Sequence, residues 1–176
     1  GQHEDAIKDC NKAITLEPKN ALTWGLRGMA KNGLGQYAEA IKDYDQAITL
    51  DPNDAAVWSN RGGAKNELGQ HEDAISDYDQ AITLDPNYAN AWNSRGLAKS
   101  KLYQYADAII DFDKAIELKP ENANYWNNLG GAKLELGQPV EAMFDLGKAI
   151  ELDPKNALAW NNRGFAELVL HQYEDA

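Results

Sequence analysis

The sequence predicts an all-α solenoid of antiparallel helix–turn–helix repeats, and three observations predict it. Tryptophan recurs at Trp24, Trp58, Trp92, Trp126 and Trp160, each 34 residues after the last. Proline keeps the same step at Pro18, Pro52, Pro86, Pro120 and Pro154. So does an alanine pair, as Ala40/Ala47, Ala74/Ala81, Ala108/Ala115 and Ala142/Ala149. Self-similarity at a fixed period marks a repeat array, and no insertion breaks this register.

Each unit reads as two helices. The first, as at Ala55 to Leu68, follows Asn53 and Asp54, whose side chains can cap free amides, and ends where Gly69 allows a left-handed turn. The second, as at Glu72 to Leu84, carries Ala74, Ile75, Tyr78, Ala81 and Ile82 at helical spacing and stops before Pro86. The frame gives the second helix of a truncated repeat over residues 1–20. Full repeats follow at 21–54, 55–88, 89–122 and 123–156, with a truncated repeat at 157–176. Ten helices are expected, the last running from Ala157 to Leu170, with a stub after Tyr173.

Four residues after each tryptophan stands Gly28, Gly62, Gly96, Gly130 or Gly164, where a small residue lets two helices approach against the repeating alanines. One hairpin cannot cover its own apolar stripe, so neighbours must share a core. The tryptophans are assigned to that core, and truncating one is expected to cost roughly 3–5 kcal/mol.

The order Trp, Gly, a tyrosine-like slot (Tyr37, His71, Tyr105, Pro139, Tyr173), Ala, an aromatic (Tyr44, Tyr78, Phe112), Ala and Pro resembles the tetratricopeptide repeat family along the whole chain. The resemblance implies a right-handed superhelix. It also implies a concave face, lined by the first helices, that receives an extended peptide or a partner helix.

On a helical wheel Trp58, Arg61, Lys65 and Leu68 share one face, and Ala56, Ser59, Asn60, Gly63, Asn66 and Glu67 fall opposite, on the groove side. Asparagine is abundant there, and Asn60, Asn90, Asn93, Asn124, Asn127, Asn128, Asn161 and Asn162 are the candidate peptide-binding residues. Asparagine is a mediocre helix former, whereas its carboxamide offers both donor and acceptor to a peptide backbone. Asn60, Asn128 and Asn162 partly resemble the asparagine ladder in the repeat domain of O-linked N-acetylglucosamine transferase, with Ser94 and Leu26 as departures. The competing reading is that these amides are solvated or bond one another. The groove ends are apolar, with Leu22, Leu26 and Met29 at one and Phe165, Leu168 and Val169 at the other, as expected of a contact surface. The clamp by which relatives hold a peptide carboxylate needs bases. Its slots here hold Ser59 and Gly63, or Asn127 and Gly131.

Three residues after the tryptophan stand Arg27, Arg61, Arg95, Leu129 and Arg163, and eighteen further on come Asp45, Asp79, Asp113 and Gly147. The unit that lacks the arginine also lacks the aspartate. Pairing within each hairpin, Arg61 with Asp79, is therefore expected, and pairing of Arg61 with the preceding Asp45 is not. Lys31, Lys65, Lys99 and Lys133 are read as snorkelling stems.

A net charge of −11 disfavours nucleic acid and anionic membranes and favours a neutral to basic protein or peptide partner. No apolar run approaches the roughly 20 residues of a membrane span and no signal peptide is seen, so a soluble chain is expected, with the cytoplasm favoured. The lone Cys10 has no internal disulfide partner. His3, His71 and His171 are too far apart along a stack to share a metal, and no catalytic, cofactor or metal site is expected. The leading expectation is a protein-interaction scaffold and not an enzyme. The alternatives are head-to-tail self-association through uncapped ends, or an accessory domain of a larger enzyme.

Overall fold

The computed structural model describes the backbone of residues 1–174 and side chains as far as His171. The Tyr173 side chain, placed in the repeat pattern above, lies outside the described residues. Among the described residues there are ten helices and no strand. They divide into two compact units, Gly1–Pro86 and Asn87–Ala176. The first holds α1 (Gln2–Leu16), α2 (Ala21–Gly33), α3 (Tyr37–Leu50), α4 (Ala55–Glu67) and α5 (His71–Leu84). The second holds α6 (Ala89–Lys101), α7 (Tyr105–Leu118), α8 (Ala123–Glu135), α9 (Pro139–Leu152) and α10 (Ala157–Glu174).

Local chemistry sets the helix ends. Asn20, Asp54 and Asn122 each accept a backbone N–H of the following first turn, satisfying donors that a helix start leaves open. Between the paired helices Gly35, Gly69 and Gly137 take φ of 73°, 76° and 71°, and Tyr103 fills the same slot at 61°. His171 occupies that slot in the last repeat, and there α10 does not turn but continues to Glu174. The expected end at Leu170 is thus corrected, because no glycine stands there to make a left-handed break cheap.

Each helix packs on its sequence neighbour within its unit, and α2 also meets α4, α6 meets α8, and α8 meets α10. The core of the first unit gathers Ala40, Tyr44, Ala47, Val57 and Ala64. In the second, Ala108, Phe112, Ala115, Tyr125, Leu129 and Ala132 form the largest cluster, while Ala142, Leu146 and Ala166 join α9 to α10. Of the recurring glycines, Gly28, Gly62, Gly96 and Gly130 fit against a ring or branched side chain more than against alanine, and Gly164 meets nothing among the described residues. A Cβ on Gly28, Gly96 or Gly130 would lie 2.7, 2.6 or 2.7 Å from Tyr44, Phe112 or Leu146.

Trp24, Trp92 and Trp126 pack against the core from its edge, and the tryptophans also bridge turn and helix. The indole N–H of Trp24, Trp58, Trp126 and Trp160 donates to the carbonyl of the proline six residues earlier, at 2.8 to 3.0 Å. Their rings are half-buried or, at Trp160, 46% exposed. A truncation cost near or below the lower end of the expected range follows, since less apolar surface leaves water.

Candidate peptide groove

The recurring arginines lie on the core side, away from the groove. Arg27, Arg61 and Arg95 each grip a carboxylate of the next helix through Nε and Nη2, at 2.6 to 2.9 Å, but the partners are Asp43, Asp77 and Asp111. Pairing within the hairpin is right and the residue is wrong by two positions. A shift of two along a helix turns a side chain by about 200°, so one aspartate faces inward and the other away. The inward aspartates are buried. Arg61 also donates through Nη1 to Asp45 of the preceding hairpin at 2.6 Å, the contact the sequence pattern argued against. Four guanidinium groups, those of Arg27, Arg61, Arg95 and Arg163, further stack on the tryptophan of their own helix, 4.4 to 4.7 Å from its centre.

The recurring lysines are not mere stems. Lys31, Lys65, Lys99 and Lys133 reach Asp43, Asp77, Asp111 and Asp145 at 2.5 to 2.8 Å. In the repeat where Leu129 replaces arginine, Asp145 keeps Lys133, and burial pushes its carboxyl above the ordinary range despite that lysine. Asp113, whose next-hairpin arginine slot is Leu129, is raised as well, again chiefly by desolvation.

On the opposite side of the second unit the asparagines form a row. Asn162 of α10 donates Nδ2 to Oδ1 of Asn127 at 3.0 Å, and Asn128 of α8 donates to Asn93 of α6 at 2.8 Å. A longer contact, 3.5 Å from Asn127 Nδ2 to Asn128 Oδ1, joins the two pairs. Tyr125 donates its hydroxyl to Asn90, and Asn156 approaches Asn124 at 3.4 Å. Asn93, Asn127, Asn128 and Asn162 are therefore brought together, Asn90 and Asn124 flank them, and Asn161 is exposed on α10. Asn127 is buried, as is Ser59 at the equivalent position of α4, so this slot is largely covered by neighbouring helices.

A cleft of about 230 Å³ opens over the row. Asn127, Asn128 and Asn162 line it together with Gly131, Tyr105 and Glu135. In the first unit Asn60 sits at a smaller, apolar depression made by Leu22, Leu26, Met29 and Val57. There Leu22, Leu26 and Met29 are exposed, and on α10 so are Leu158, Phe165 and Leu168, while Val169 is half-buried. Sequence reasoning did not single out Tyr105 and Glu135 as cleft residues: Tyr105 appeared only in the tyrosine-like slot of the repeat pattern, and Glu135 is the equivalent of Glu67, which the helical wheel places on the groove side.

Family profiles described as TPR repeat match residues 28–65 and 62–102, and profiles described as tetratricopeptide repeat match residues 1–20, 93–157 and 146–176. The chain belongs to the tetratricopeptide repeat family, and its fold is an all-α helical-repeat solenoid. A crystal structure of MamA is 26% identical with a TM-score of 0.80, covering 88% of this chain and 91% of that one. The first TPR of Spaghetti (RPAP3), bound to the HSP90 peptide SRMEEVD, is 30% identical with a TM-score of 0.65, covering 66% of this chain and 93% of that one. YrrB, a TPR protein with an unusual peptide-binding site, is similar in fold, at 20% identity, a TM-score of 0.77, and coverage of 94% and 84%. No curated protein matches the chain. Among the described residues no helix is long and apolar enough to cross a membrane.

Proposed function

We propose that this chain is a protein-interaction scaffold, without catalytic chemistry of its own, that holds an extended peptide across the first helices of its second unit. The observation that carries the reading is the row Asn93, Asn128, Asn127 and Asn162, whose amides already orient one another from helix to helix. Each carboxamide has two donors and two acceptor lone pairs, so the row retains hydrogen-bonding capacity after its internal bonds are made. Groups fixed in advance lose little freedom on binding. The peptide-bound relative supports peptide recognition as the mode, although the chemistry differs. SRMEEVD is acidic, whereas here Lys65 and Lys133 are tied to Asp77 and Asp145, and the groove side offers amides and Glu135.

The test is a screen of short random-sequence peptides by fluorescence anisotropy, followed by backbone N-methylation of those that bind. N-methylation is expected to weaken binding about tenfold per essential amide lost, near 1.4 kcal/mol. Binding indifferent to N-methylation and to Asn128→Ala with Asn162→Ala would remove the reading. A second reading, self-association, is favoured by the exposed Leu158, Phe165 and Leu168 on α10 and Leu16 at the end of α1. Light scattering over a concentration series separates the two, because a chain that stays monomeric at high concentration leaves only the scaffold.

A further inference from the structure

We infer that the cleft over Gly131 is a specificity pocket for one cationic side chain, lysine or arginine, of the bound peptide. The inference rests on the proposed peptide-binding role and adds to it the chemistry of the residue selected. Its first support is size. At about 230 Å³ the cleft is below the roughly 300–1,000 Å³ of drug-sized ligand sites, and suits a single side chain.

The second support is the amide row. Nδ2 of Asn162 faces Oδ1 of Asn127, Nδ2 of Asn127 faces Oδ1 of Asn128, and Nδ2 of Asn128 faces Oδ1 of Asn93. Asn162 turns its Nδ2 to Asn127, 3.8 Å from where a Cβ on Gly131 would stand, and Asn127, Asn128 and Asn162 all line the cleft. The oxygens of Asn127 and Asn128 each keep a second lone pair beside it.

The third support is charge. Glu135 is the one charged residue among those lining the cleft. Lys99 and Lys133, from the helices that line it, are held by Asp111 and Asp145 on the core side. Glu135 stands by Tyr105, whose phenol is raised by partial desolvation and then by this carboxylate. The spare lone pairs of the Asn127 and Asn128 oxygens, a carboxylate and an aromatic ring together match an ammonium or guanidinium with an aliphatic stem. The floor of Gly131, Ala132 and Phe112 supplies apolar surface for that stem.

Four fluorescein-labelled pools of random peptides, each with its central residue fixed as lysine, arginine, norleucine or glutamate, test this on the full chain by anisotropy. The lysine and arginine pools are expected to bind about ten- to a hundredfold tighter than the norleucine pool, as a charge-assisted hydrogen bond implies. In Glu135→Gln that ratio should fall toward one, while Glu121→Gln, which removes the same charge outside the cleft, should retain it. Equal affinity for lysine and norleucine overturns the inference and leaves the scaffold reading standing. A preference equally lost in both variants overturns it too, assigning the effect to the net charge of −11. Failure of all four pools to bind overturns the peptide-binding proposal and the pocket with it.

Discussion

Arg61 holds Asp77 with two parallel hydrogen bonds, Nε at 2.8 Å and Nη2 at 2.6 Å, and spends its third arm on Asp45 of the preceding hairpin. One guanidinium thereby joins α4 to both α5 and α3. The aspartate it grips is 2% exposed, and Lys65 is the second cation on it at 2.8 Å. Such a pair is costly to break from one side, since the remaining charge stays in a poorly solvated place.

Arg61→Leu is therefore expected to destabilise the chain toward the lower end of roughly 3–5 kcal/mol, with Lys65 limiting the damage. Adding Asp77→Asn should recover part of that loss, giving a coupling above about 1 kcal/mol in a double-mutant cycle. Asp45→Asn, at an exposed carboxylate, should cost no more than about 1 kcal/mol. Urea denaturation of the variants measures all three, and strict additivity of Arg61→Leu and Asp77→Asn would exclude the pairing.

The fourth repeat predicts a pH effect. Asp145 is buried with Lys133, and Leu129 stands where other repeats place arginine. Desolvation raises its pKa above the ordinary 3.8, Lys133 opposes this, and Asp113 and Glu141 add to the rise. The native state thus holds this proton more tightly than the unfolded chain. Its contribution to stability is full below about pH 3.8 and is lost as pH rises through the native value. Asp145→Asn removes the dependence, so its stability relative to the parent should improve as pH is raised through that window. Denaturant midpoints for the two chains at a series of pH values check this, and parallel curves would refute it.

The repeat, the helix pairs and the turn glycines were legible because they depend on local chemistry copied at a fixed period. What stayed hidden depended on which way a side chain points at a given helical phase. Counting the aspartates by residue type found Asp79 and not Asp77, because Asp43, Asp77, Asp111 and Asp145 recur in every full repeat and so show no variation to notice. The asparagines were found as a class, but the bonds between them involve partners 35 residues apart. An offset one residue longer than the period arises from the stagger of neighbouring first helices, which no single-helix wheel contains. Because of those bonds, replacing Asn128 and Asn162 also costs stability. Each loss removes a hydrogen bond of roughly 0.5–1.5 kcal/mol.

Glycines at two neighbouring slots of the first helices, on different faces, should respond oppositely to alanine. A Cβ at Gly131 meets nothing nearer than Asn162 Nδ2 at 3.8 Å, so Gly131→Ala is expected to stabilise α8 by about 0.5–1 kcal/mol through the helix preference of alanine. A Cβ at Gly96 would lie 2.6 Å from Phe112, itself fully buried, and Gly96→Ala is expected to destabilise by roughly 1–3 kcal/mol as the ring is displaced. Thermal denaturation distinguishes the two, and a shift of the same sign in both would show that close helix approach is not what selects glycine at position 96.

Tyr103 carries the remaining strain that a simple change can relieve. Among the described residues it is the one non-glycine with positive φ, at 61°, in the slot that Gly35, Gly69 and Gly137 fill in other repeats. A left-handed conformation costs a residue with a Cβ about 1–2 kcal/mol. Its side chain is 80% exposed and offsets little of this, beyond an edge-on contact with Tyr105 whose ring centres are 6.1 Å apart. Tyr103→Gly should therefore raise stability by roughly 0.5–1 kcal/mol, the strain relief being reduced by the greater freedom of glycine in the unfolded chain. The converse holds at His171, where α10 runs straight through the slot: His171→Gly lowers helix propensity there and should not stabilise. Chemical denaturation of both variants reads the contrast, and a destabilised Tyr103→Gly would mean that the edge contact with Tyr105 outweighs the backbone strain.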